Sequence, residues 1–248
     1  MRRVVIIVST VTVLIFAALF YQYRQQQQDV AQLHQYQTVL YEKTEQLYEE
    51  AQDWQNAIQL TTQDSRLQGD YRVMADFLLS YLKDNAEARN VYLRELKSIA
   101  WDQFLQVKRL DQDKKQNYSQ TQSMLVNARS LAVQYQSQNE QRYAQALAEA
   151  EHLNIQTRLK QTLVESLKSQ QDQDMYAVFE LEQQILVKAE ALFDILKAHQ
   201  WQAKDGQFFF YQDQPLKDFN RLYQEVIELN GKIEKIKQGH KAALEAKL

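Results

Sequence analysis

Apolar and polar positions alternate with helical spacing along nearly the whole chain. From Leu33 a stripe runs through Gln37, Leu40, Thr44, Leu47, Ala51, Trp54 and Ile58 in steps of four and three, the spacing of a bundle or coiled-coil seam. The seam predicts a first helix over residues 24–63, broken near the cluster Thr62, Asp64, Ser65 and Gly69. A second helix is expected over 70–111, with Tyr71, Met74, Phe77, Leu78, Tyr81, Leu82, Tyr92, Leu96 and Ile99 on its apolar face. Residues 111–117 are polar throughout and read as a connection. A third helix covers 118–168, thinly marked by leucines, with Ala128, Ala132 and Ala146 at seam positions that let neighbours approach closely. The polar run 169–174 ends it.

A fourth helix is expected over 175–200, with Phe179, Leu186, Ala189, Phe193 and Leu196 at bundle spacing. The last, 215–246, carries Leu222, Val226, Leu229, Ile233, Ile236, His240 and Ala243. Between these two lies the one irregular passage. Asp205-Gly206 is a turn signal, and Pro215 suits a first helical turn. Alternation of Trp201 with Ala203, and of Phe208 with Phe210, would permit a short hairpin. The fold class expected is all-α: a single N-terminal transmembrane helix followed by an elongated bundle of four to five long helices with coiled-coil-like seams.

The transmembrane expectation rests on residues 4–21, an uncharged run behind Arg2 and Arg3 broken only by Ser9, Thr10 and Thr12. Hydroxyls can return hydrogen bonds to the preceding helical turn, so they cost little in lipid. Eighteen helical residues cover about 27 Å, close to the hydrocarbon thickness of a bilayer. Phe20, Tyr21 and Tyr23 then fall where an interfacial aromatic belt belongs. A cleaved signal peptide would have a shorter apolar core and a small-x-small site, which 17–21 does not offer. Two arginines and the α-amine on one side, against Arg24 on the other, favour a cytoplasmic N-terminus. The expected layout is therefore 1–3 cytoplasmic, 4–21 anchor and 22–248 an extracytoplasmic helical domain, periplasmic on the inner membrane of a Gram-negative bacterium.

Composition sharpens this picture. Gly 4 and Pro 1 leave few residues for tight turns, which a sheet protein needs in number. Glutamine, about one residue in six, keeps helix faces wet without charge repulsion. Zero cysteine excludes disulfides and Cys-ligated metal. Lys+Arg 29 against Asp+Glu 32, with no basic block, disfavours nucleic acid as a partner.

Candidate chemistry is thin. Glu149 and His152 share a helical face, but a di-iron site needs that pair twice plus two further glutamates. Asp111-x-Asp113 and Asp172-x-Asp174 open like calcium loops, yet Lys114, Lys115, Met175 and Tyr176 follow where further oxygen ligands and a glycine belong. Both pairs read better as helix ends with Asp available for capping. No glycine-rich phosphate loop or nucleophile elbow occurs. No catalytic residue, metal or cofactor is expected.

The expected role is a membrane-anchored helical scaffold or protein-interaction module, with a protein partner or a homo-oligomer. The alternative is a ligand-sensing bundle that signals through a separate partner. A small ligand has no motif to support it. The candidate interaction patch is Trp201, Phe208, Phe209, Phe210 and Tyr211, whose rings either cap the bundle end or stand exposed for a partner protein or the membrane face.

Overall fold

A computed structural model describes residues 30–171 and 175–245, with side chains over 31–168 and 177–236. The expected anchor 4–21, the pair Asp172 and Asp174, and the seam side chain His240 lie outside the described residues. Helices dominate: α1 (Val30–Gln52), α2 (Gly69–Ser98), a 3-10 turn (Trp101–Gln103), α3 (Val107–Lys114), α4 (Ser119–His152), α5 (Thr157–Gln171), α6 (Met175–Ala198) and α7 (Asp213–Glu245). The one sheet among the described residues is a hairpin, β1 (Trp201–Lys204) with β2 (Gln207–Phe210). Among the described residues, no helix is long and apolar enough to cross a membrane.

The described chain forms two compact units. The first takes residues up to Val91, Ser137–Ala177 and the C-terminal stretch from Lys235. The second takes Tyr92–Gln136 and Val178–Glu234.

The first unit is built on the seams of α1 and α2. Leu33, Leu40, Leu47 and Ala51 are buried as the spacing predicts, joined by Tyr36 and Val39, and they pack with Met74, Leu78, Leu79 and Leu82 of α2 and Leu163 and Leu167 of α5. Helix α1 ends at Gln52, well before residue 63. Beyond it the chain is extended, and Ile58 and Leu60 are buried while Gln59 and Thr61 are exposed, the two-residue period of a strand. Among the described residues no strand pairs with this strap, and charged side chains satisfy its backbone. Glu50 accepts the N–H groups of Gln59 (2.7 Å) and Leu60 (2.9 Å), and Glu87 accepts that of Ile58 (3.0 Å). Lys43 and Lys83 donate to the carbonyls of Thr61 and Leu60, each at 2.8 Å. Asp64 then makes a local turn, accepting from the backbone and guanidinium of Arg66, which also reaches Glu42. The Arg66 hydrogen bonds outweigh the burial of Asp64 and hold its carboxyl down to about 2.

Two further expectations need correction. The second helix stops at Ser98, where Ala100 adopts a left-handed φ of 56°, and a separate helix α3 contains Asp111 and Asp113, so the connection is residues 115–118 alone. The third stretch breaks at 153–156 into α4 and α5, and Asp70 accepts the Gln156 N–H at 3.0 Å beside the new helix start. The fourth and last helices fall where the seams place them.

Candidate functional site

The hairpin of the second unit carries the whole candidate patch. Asp205 and Gly206 have φ of 52° and 75°, the positive pair that a two-residue hairpin turn matched to strand twist requires. Trp201 pairs with Phe210, Gln202 with Phe209, Ala203 with Phe208 and Lys204 with Gln207. Side chains alternate across a strand, so this register sorts the aromatic rings onto opposite faces.

Trp201, Phe208 and Phe210 lie on the inner face. Trp201 and Phe210 are buried and Phe208 half-buried. Trp201 meets Phe208 edge-on at 5.0 Å, and both Phe208 and Phe210 pack on Phe219 of α7, at 5.2 and 5.5 Å between ring centres. Phe209 and Tyr211 remain 47% and 61% exposed. Their rings meet edge to face at 6.2 Å, and the Lys204 ammonium lies 5.7 Å from the Phe209 ring centre. The five residues thus form two sets, an inner anchor and an outer aromatic pair.

A buried polar lattice fixes the inner set. The Trp201 indole N–H reaches the carbonyl of Leu196 at 2.9 Å and the Tyr118 hydroxyl oxygen at 3.0 Å, while Tyr118 itself donates to the same carbonyl at 3.0 Å. Leu196 stands in the last turn of α6, where carbonyls lack helical partners. Lys114 donates to the Trp201 carbonyl at 2.6 Å, with its ammonium 4.6 Å from the indole ring centre. Burial raises the Tyr118 phenol above its ordinary range; the Trp201 contact opposes this, and Asp113 and Asp111 add to it.

Tyr118 owes its position to Asp113. Asn117 and Tyr118 both take positive φ, 53° and 59°, and the Tyr118 N–H returns to the Asp113 carbonyl at 2.9 Å. The Asp113 carboxylate accepts the N–H groups of Gln120 (3.1 Å) and Thr121 (2.7 Å) and the Thr121 hydroxyl (2.5 Å), capping α4 from outside the helix. Arg109 donates to Thr121 Oγ1 at 3.0 Å and to the Gln103 and Phe104 carbonyls, and lies 3.7 Å from Asp113. Burial pushes Asp113 upward, but the Thr121 and Gln120 hydrogen bonds and the Arg109 charge win and hold it below the usual carboxylate range. Burial lowers Arg109, against the pull of Asp113. The polar atoms of this lattice bond to backbone or to one another, and so position the hairpin.

Elsewhere, Glu149 and His152 are exposed, and Glu149 accepts from Gln145 at 2.7 Å. Among the described residues no three His, Asp or Glu side chains gather as metal ligands. The sequence marks Asp113 as available for capping, whereas Arg109, Tyr118 and Thr121 carry no motif of their own. The signal available for Arg109 was its four-residue spacing from Asp113.

Eight of the nine large apolar side chains exposed among the described residues belong to the second unit, Val91 being the exception. No family model, curated protein or solved structure matches the chain.

Proposed function

We propose that the protein is a membrane-anchored, extracytoplasmic helical interaction module, tethered through residues 4–21 and binding a partner protein through the outer hairpin face. The observation that carries this reading is the contrast within one hairpin. Its inner rings are locked by hydrogen bonds and packing, while Phe209 and Tyr211 stand exposed beside Lys204. Large aromatic side chains on a rigid support lose little entropy on binding, and such residues dominate the energetics of interfaces. The apolar run behind Arg2 and Arg3 supports the tether. The bundle then serves to hold the hairpin outside the lipid, with no chemistry of its own.

The test is cross-linking in intact membranes, paired with buffer washing of the envelope. A covalent complex with a second protein, and retention in the membrane until detergent is added, are the expected results. Recovery of uncoupled monomer alone, or release into plain buffer, would contradict the reading.

A further inference from the structure

Helix α7 carries an apolar stripe that the hairpin does not use. Leu216, Tyr223 and Ile227 are 37%, 44% and 48% exposed, and with exposed Asn220 they follow steps of four, three and four. In heptad terms these are positions d, a, d and a, on a face turned roughly 115° from the buried seam of Phe219, Leu222 and Leu229. Tyr223 is pre-positioned, stacked on Phe219 with ring planes 8° apart.

We infer that this stripe pairs with a second copy of the same chain, running antiparallel about a two-fold axis. In antiparallel pairing an a position faces a d position. Leu216 of one copy then faces Ile227 of the other, and Asn220 faces Tyr223, so four layers close on themselves without a gap. The charges fit the same register. Arg221 is already occupied by Asp218 and Glu225, whereas Lys217 and Glu228, both exposed, have no ion-pair partner among the described residues. The two-fold axis brings Lys217 of each copy beside Glu228 of the other. A parallel arrangement would leave Lys217 of one copy and Glu228 of the other on opposite flanks and about 16 Å apart along the helices, and so lose the pairing. The inference is independent of the partner assigned to Phe209 and Tyr211.

The natural chain has Cys 0, so engineered thiols report on a silent background. Full-length L216C and I227C proteins, tagged at different sizes and both in membranes, are oxidised separately and mixed. The two positions lie about 16 Å apart along one helix, too far for either thiol to meet its own copy across the axis or for a bridge within one chain. Disulfide-linked dimer should form only in the mixture. It should fall several-fold when K217E is added to both proteins and return with K217E/E228K. Dimer in either single variant would overturn the antiparallel pairing. So would no dimer in the mixture, as when another protein or the lipid surface covers the stripe, or a yield indifferent to K217E.

Discussion

Trp201 and Tyr118 converge on one acceptor, the carbonyl of Leu196, while lying 3.0 Å from each other. Either donor alone can satisfy that helix-terminal oxygen. Tyr118→Phe should therefore cost only about 1 kcal/mol in urea unfolding, the net worth of one hydrogen bond, whereas Trp201→Phe should cost about 2 kcal/mol or more, because it also shrinks a buried ring that packs on Phe208 and lies under Lys114. The double variant leaves a buried carbonyl without a donor, so its cost should exceed the sum by about 1 kcal/mol or more. Strict additivity would show that the shared acceptor is not what ties the hairpin down.

Asp113 predicts an acid limb of stability. Its carboxyl is held lower in the folded protein than in the unfolded chain. Its contribution is thus complete above the unfolded value of about 4 and drains away as pH falls through the folded value. Asp113→Asn should destabilise the second unit by about 2 kcal/mol at neutral pH, because it weakens charged hydrogen bonds to buried partners. Its stability should also change less than the parent's as pH is lowered from about 4. Tyr118 acts at the other end: its raised phenol contributes below about pH 10, and that share is lost as pH rises through the folded value. Thermal unfolding across pH measures both limbs.

The strap 57–61 depends on carboxylates from the helices. Glu50→Ala strips two strap N–H groups of their acceptor and should cost about 1–3 kcal/mol. Faster amide exchange at Gln59 and Leu60, without change at the hairpin, is the expected signature. Unchanged exchange would mean that Ile58 and Leu60 hold the strap by burial alone.

Gly206 tests the turn. A Cβ there would meet nothing within 4 Å, yet φ is +75°. Gly206→Ala should therefore cost about 1 kcal/mol from backbone strain alone, and Gly206→Asn less, since asparagine tolerates this region better. Chemical denaturation compares the two.

These positions also explain what could be read in advance. Seam periodicity located α6 and α7, and the Asp205-Gly206 and Pro215 signals marked a turn and a helix start between which a hairpin was allowed but not required. The breaks after Gln52, at Ala100 and at 153–156 escaped because no glycine or proline marks them. Tertiary hydrogen bonds to Glu50 and Glu87, to Arg109 and to Asp70 support the backbone beside those breaks, and such contacts are invisible to a local window. The strap did leave a trace, since Ile58-Gln59-Leu60-Thr61 alternates with the period of a strand. A helical step of four from Trp54 to Ile58 masked it. Within the candidate patch, composition could identify aromatic rings, but only strand register could divide Trp201, Phe208 and Phe210 from Phe209 and Tyr211.

The outer aromatic pair bears the weight of the functional account, and site-specific photo-cross-linking tests it most directly. A photoreactive phenylalanine is placed at position 209, at 211 or, as a control, at Val126 on α4, which is 65% exposed. Irradiation of intact membranes should give one discrete protein adduct from 209 and 211 and none of that size from 126. The same adduct from all three positions, or none from 209 and 211, would contradict a partner-binding hairpin.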